Sequence, residues 1–352
     1  MKPYAWHAGV WNTLLGDFSK LPHALLLCGP AGLGKSAFGE ALAARLLCEQ
    51  SSAERQNLAC GRCDSCNWLR TGNHPDFRLV QPEDAAAEES MQEEAEAPKL
   101  ESTVRKSGQG QVRVDQIRAL EDFVFVGSHR QGNRVVLLSQ AETMNAAAAN
   151  SLLKILEEPP ASVYFILISS HWRRLLPTLL SRCRKVILGY PAGAEVTRWL
   201  AEQGVGEAAT LLDLAGGLPL LAAEWGEKGR LDAYSTLIES LLGEASDPVA
   251  LAARWATLLK AGQEFPLWQL LEAIQKWMAD LGTQKSAGRC RYHRWWQPRL
   301  AKLAERATAP GIMTCYNDLL RMRAVVRHPL NTQLFLEDVA ARYLRALAPG
   351  KV

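Results

Sequence analysis

Residues Gly29-Pro30-Ala31-Gly32-Leu33-Gly34-Lys35-Ser36 read G-x-x-x-x-G-K-[ST]. An apolar run, His23 to Cys28, feeds into them, and Ser36 to Leu47 follows with small and apolar residues at helical spacing. A glycine-rich turn alone matches so short a pattern by chance. A buried strand before it and a helix after it give the match meaning. The glycines let the backbone fold around phosphate oxygens, with amide N–H groups turned inward at a helix N-terminus. Gly29, Gly32, Gly34, Lys35 and Ser36 are therefore the candidate nucleotide contacts. Lys35 is suited to the β- and γ-phosphates and the Ser36 hydroxyl to Mg²⁺.

The strand–loop–helix unit predicts an α/β fold, and the chain continues in that rhythm. Phe77 to Val80, Arg134 to Leu138 and Tyr164 to Ser169 read as strands, separated by helical stretches such as Val114 to Phe125 and Asn145 to Glu157. Such alternation implies a mostly parallel sheet covered on both faces. At 352 residues the chain is too long for one small core. Three regions are expected: an α/β domain over 1–187, a short helical segment over 188–228, and an all-α block over 229–352. Glu83 to Glu101 carries eight acidic residues against Lys99 alone, which predicts a disordered surface insertion near 83–108.

Hydrolysis of a bound nucleotide needs an acidic residue for the metal and a group that positions water. The strand Arg134 to Leu138 runs into Ser139-Gln140-Ala141-Glu142, so a hydroxyl and an amide stand where two carboxylates are needed. Glu142 lies too far along to replace them without a register shift. The expectation is nucleotide binding without turnover.

Cys48 and Cys60-Gly61-Arg62-Cys63-Asp64-Ser65-Cys66 supply four sulfurs, two successive C-x-x-C spacings plus one upstream. Four thiolates close a tetrahedral Zn²⁺ site and leave no open position, which makes the metal structural. A redox pair is the alternative. Cys28, Cys183, Cys290 and Cys315 are isolated and read as packing thiols. Met1 to Trp6 lacks the pattern of a secretion signal, and no apolar run reaches the ~20 residues of a membrane helix. A cytoplasmic, reducing compartment follows, with no membrane partner.

Net charge is +3, from 40 basic and 37 acidic residues, so any DNA contact has to be local or through a partner. Arg289 to Trp296 mixes arginines with aromatics; helix packing or subunit contact is favoured there over DNA. His74 and His129 read as structural. Arg182, in Ser181-Arg182-Cys183, fits equally a surface charge or a cation offered to a neighbour's phosphate.

Ala149-Asn150-Ser151-Leu152-Leu153-Lys154-Ile155-Leu156-Glu157-Glu158-Pro159-Pro160 followed by Ser181-Arg182-Cys183 resembles the bacterial clamp-loader family, a branch of the AAA+ proteins. His23 to Leu26, the cysteine cluster, Gly72 to Asp76 and Val114 to Arg118 extend the resemblance over most of the chain. It implies an AAA+ α/β domain with a zinc module, a small helical lid and an α-helical collar through which subunits assemble. Gamma- and tau-type motor subunits keep Asp-Glu where this chain has Ser139 and Gln140, and a nucleotide-sensing arginine near the place of Pro219. Both losses resemble the family's stator, which does not hydrolyse ATP and belongs to a DNA-directed DNA polymerase holoenzyme. By that resemblance Arg182 is a trans arginine finger, and the partners are gamma/tau and delta subunits, the sliding clamp and primed DNA. The intact loop leaves ATP or ADP as a ligand bound without hydrolysis. An active gamma-type motor is the main alternative, and a stand-alone P-loop kinase leaves the cysteines and the helical block unexplained.

Overall fold

The computed structural model describes residues 1–50, 57–83, 110–125, 132–243, 247–260, 265–326, 328 and 331–348. Nearly all of the acidic stretch 83–108, and His129, lie outside the described residues. The chain divides into two compact units, Met1–Pro191 and Ala192–Val352.

The first unit holds a five-stranded, wholly parallel sheet in the order β2-β3-β4-β1-β5. The strands are β1 (Ala24–Cys28), β2 (Phe77–Val80), β3 (Arg134–Leu138), β4 (Val163–Ser169) and β5 (Arg184–Ile187). Its helices are α1 (Ala8–Leu15), α2 (Lys35–Leu47), α3 (Asp64–Arg70), α4 (Val114–Phe125), α5 (Ala146–Glu157) and α6 (Pro177–Arg182). Every residue of β1 and β3 is buried, as expected of strands covered on both faces. Successive side chains alternate between two cores. Leu25, Leu27, Val135, Leu137, Ile166 and Ile168 pack with Trp11 of α1 and Phe38 and Leu42 of α2. Leu26, Val136, Leu138, Phe165 and Leu167 pack with Ile117 of α4, Leu152 of α5 and Leu179 of α6.

β1 lies between β4 and β5, so chain order reverses across it, with Leu26 facing Leu167 on one side and Lys185 on the other. In parallel sheets ligands bind outside the carboxyl ends of the strands at such a reversal. The phosphate loop leaves β1 there. Deep in the same unit, Arg134 pairs with Asp76 at 3.3 Å, with both side chains almost fully buried. Arg134 also donates to the Phe123 carbonyl, which satisfies a charge that burial would otherwise leave costly.

The second unit contains no strand among its described residues. Its helices are α7 (Gly193–Glu202), α8 (Ala208–Leu214), α9 (Pro219–Glu227), α10 (Arg230–Leu242), α11 (Pro248–Lys260), α12 (Leu267–Ala287), α13 (Gln297–Arg306), α14 (Ala309–Met322) and α15 (Thr332–Leu347). Trp255, Trp277, Tyr234 and Tyr343 fill its core. The polar tips of the last three are satisfied; Trp277 Nε1 donates to Tyr343 Oη at 3.3 Å, and Tyr343 Oη to the Leu241 carbonyl at 2.6 Å. No helix among the described residues is long and apolar enough to cross a membrane.

Candidate functional site: a phosphate loop beside a four-cysteine cluster

Gly29, Gly32 and Gly34 all take positive φ, 155°, 85° and 88°. A Cβ at Gly29 would lie 2.5 Å from the Leu188 carbonyl oxygen, and one at Gly34 would lie 2.5 Å from the Tyr4 ring. Glycine is thus required at both places by conformation and by space. Tyr4 stacks on Trp6 with centroids 4.5 Å apart, and Trp6 Nε1 donates to the Leu33 carbonyl at 3.2 Å. His7, fully buried, packs edge-on against Phe38. The N-terminal segment therefore buttresses the loop, a role its sequence did not announce.

Lys35, the first residue of α2, turns its ammonium back into the loop. Nζ donates to the Pro30 carbonyl at 2.7 Å and to Ser170 Oγ at 3.0 Å. Burial pulls its pKa down to about 8, with the Glu142 charge working in the opposite direction. Loop, lysine and the Ser36 hydroxyl fit a phosphate chain with its metal.

The positions after β3 offer no carboxylate in the usual place. Ser139 is tied to β2 through its amide, which donates to the Val80 carbonyl at 2.9 Å. Gln140 is exposed in a left-handed conformation, φ 50°. Glu142 is the residue the sequence undervalued. Its Oε1 accepts the amides of Ser170 at 2.9 Å and His171 at 3.2 Å, which fixes the turn after β4 beside Lys35. Burial acts to raise the Glu142 pKa, but bonds from Ser169, Ser170 and His171 outweigh it and hold the carboxyl below its ordinary value. Its Oε2 is buried without a partner.

The four cysteines converge: the sulfurs of Cys48, Cys60, Cys63 and Cys66 all lie within 4.8 Å of one another. Cys60 and Cys66 Sγ are 3.9 Å apart, near the roughly 3.8 Å edge of a tetrahedron with 2.3 Å metal–sulfur bonds. Backbone amides point at the sulfurs, from Cys60 to Cys48, from Arg62 and Cys63 to Cys60, and from Cys66 to Cys63. Burial raises the Cys60 thiol, yet the Arg62 and Cys63 amides and the neighbouring Cys63 and Cys48 thiols bring it down to about 6. A donor set of four converging sulfurs with amides directed at them fits a thiophilic cation such as Zn²⁺. The cluster is anchored to the end of α2: His74 Nε2 donates to Ser65 Oγ at 2.8 Å, and Ser65 Oγ donates to the Leu47 carbonyl at 2.6 Å. His74 Nδ1 accepts the Asp76 amide at 3.0 Å, so this histidine is a strut.

Arg182 ends α6 on the surface. Its guanidinium meets Glu157 Oε1 at 2.5 Å and donates to the Thr178 carbonyl at 3.2 Å. Of the isolated cysteines, Cys28, Cys183 and Cys315 are buried, whereas Cys290 is half-buried and donates to Asp280 Oδ2 at 3.0 Å. Cys290 is therefore part of a polar network, because Asp280 gathers the loop 290–293 around its carboxylate.

A family model described as DNA polymerase III, delta subunit, matches residues 14–190. DNA polymerase III subunit delta' of Pseudomonas aeruginosa is 38% identical over 72% of this chain and 71% of its own. The chain belongs to the DNA polymerase III subunit delta' family. The delta' subunit of Yersinia pestis is 30% identical over 99% of this chain and 98% of its own, and that of Escherichia coli K12 is 27% identical over 100% and 98%. The part matched by the family model holds the phosphate loop, the four cysteines and Arg182. Its five parallel strands and phosphate loop form an α/β domain.

Proposed function

We propose that this chain is the stator subunit of a bacterial clamp loader, binding nucleotide without hydrolysing it and presenting Arg182 to a neighbouring ATPase. The observation that carries the reading is the combination of an intact loop around Lys35 with Ser139 and Gln140 in place of carboxylates. The loop amides and Lys35 bind phosphate oxygens, Lys35 exchanging the Pro30 carbonyl and Ser170 hydroxyl for them. Ser139 gives a metal no negative charge, and Gln140 cannot take a proton from water at neutral pH. Glu142 does not repair the loss. Its Oε1 is committed to two backbone amides, and a carboxyl with a depressed pKa is a weak base.

Arg182 lies on the surface, free of the chain's own phosphate loop chemistry, where a planar cation suits a phosphate held by another subunit. Bound Zn²⁺ would supply a tetrahedral cross-link among Cys48, Cys60, Cys63 and Cys66. The residues from about 188 to 228 serve as lid and those from about 229 onward as collar, engaging gamma/tau and delta subunits around the sliding clamp and primed DNA. Reconstitution tests the assignment. Mixed with gamma-type and delta subunits, the chain should enter a stable complex and make clamp loading onto primed DNA efficient. A complex that forms and loads equally well without it contradicts the reading.

A further inference from the structure

The fold divides Arg289–Trp296 by face. His293 and Trp296 are buried, whereas Arg289, Arg291, Arg294 and Trp295 are exposed, Trp295 to 73%. The turn is held from below by Asp280, whose carboxylate accepts the amides of Arg291, Tyr292 and His293 at 2.8, 2.9 and 2.8 Å. It also accepts His293 Nδ1 at 2.8 Å, and His293 Nε2 in turn accepts from Tyr234 Oη at 3.1 Å. Burial pushes the His293 pKa down, so the ring is neutral and this pattern of one donor and one acceptor is fixed. Within the turn the network uses the backbone, His293 and the Cys290 thiol. It engages none of the arginine or tryptophan side chains of the turn.

Tyr292, Arg294, Trp295 and Trp296 wall a cleft of about 330 Å³, opposite Glu207 and, on α8, Thr210 and Asp213. That volume is at the small end of ligand sites, ~300–1,000 Å³, and suits one ring system rather than an extended peptide. Tyr292, Trp295 and Trp296 give it apolar walls, and Arg294 bridges its edge to Asp213 at 3.6 Å. Asp213 is partly desolvated, and burial raises its pKa against the pull of Arg294. Two carboxylates and a hydroxyl inside, with aromatic faces around them and Arg294 at the edge, match a nucleobase carrying amino groups. Amino groups of a base would meet Asp213 and Glu207, and its ring would stack on Trp295.

We propose that this cleft is a base-stacking site for single-stranded DNA, with Trp295 as its platform. The site lies outside residues 14–190 and does not depend on the phosphate loop or on Arg182. A pre-ordered turn also spares the cost of ordering this stretch of backbone on binding.

The test measures fluorescence anisotropy of labelled single-stranded oligonucleotides against the full chain, with an abasic strand of equal length as comparison. Base–aromatic stacking predicts that Trp295→Ala raises Kd ~5- to 150-fold while leaving the circular dichroism spectrum unchanged. The abasic strand should bind the unaltered chain more weakly by a similar factor and be indifferent to Trp295→Ala. Asp213→Asn should cost more for dC and dA strands than for dT. Equal affinity for normal and abasic strands overturns the proposal without recourse to any variant. So does a Trp295→Ala chain that binds DNA normally but fails to join gamma-type and delta subunits, which would make the cleft a protein contact.

Discussion

The last residue of α6, Arg182, is held 2.5 Å from the last residue of α5, Glu157. The pair is well exposed, at 35% and 50%, so it stabilises the fold by at most about 1 kcal/mol. A phosphate offered by another subunit would therefore displace Glu157 at little cost. Arg182→Ala should change unfolding free energy by less than about 1 kcal/mol yet slow ATP hydrolysis in the adjoining site by at least roughly 10³-fold. Single-turnover hydrolysis in the reconstituted assembly reads this directly. Arg182→Lys should not restore the rate, because a point charge does not reproduce a planar fork. Glu157→Gln should leave the rate intact.

The cysteine cluster predicts one zinc per chain by elemental analysis. Stripping it with a chelator, or replacing Cys60 with Ser, should loosen the stretch from Cys48 through α3 and speed proteolysis there. The sheet core should survive, since Leu25, Leu137 and Ile166 pack independently of the sulfurs. Complete loss of secondary structure by circular dichroism would contradict that separation.

Lys35 gives nucleotide binding a pH signature. Its pKa without ligand is about 8, below the ordinary lysine value, and an anionic phosphate raises it. Binding at pH 6.5 finds Lys35 already protonated. Binding at pH 9 must take up a proton, so affinity falls as pH rises through about 8. Calorimetry in buffers of differing ionisation enthalpy should show proton uptake at pH 9, none at pH 6.5, and none at either pH in Lys35→Ala.

Asp280 is a structural keystone of the second unit. Burial acts to raise its pKa, but the bonds from His293, Cys290 and Arg291 hold it below the ordinary aspartate value. Asp280→Asn replaces one accepting oxygen by a donor facing donors. The cost should be about 2–4 kcal/mol, visible as a lowered denaturation midpoint. Trp295→Ala, on the same turn, should leave that midpoint within about 0.5 kcal/mol of unaltered protein.

Much of the first unit was legible because its signals are local. β2, β3 and α4 begin and end where the alternation of apolar runs and helical spacing places them. The phosphate loop declared itself through glycines that the backbone cannot do without. β5 was missed: only Val186 of its four residues is buried, so no apolar pattern marks this edge strand. The structural part Glu142 plays went unread because it comes from β4 and the turn after it, 28 residues on, and no spacing within Ser139–Glu142 encodes that meeting. The partnership of Glu157 with Arg182 and the convergence of Asp280 on 290–293 are equally tertiary. The four sulfurs, by contrast, were readable from spacing, because two short C-x-x-C turns leave little freedom in how they close.

Steady-state ATPase of the purified chain, measured beside equilibrium nucleotide binding, tests the central claim most directly. Nucleotide should bind in a Lys35-dependent manner, while turnover stays at background alone and appears only when gamma-type subunits are present. Robust, Lys35-dependent hydrolysis by the isolated chain would contradict the account.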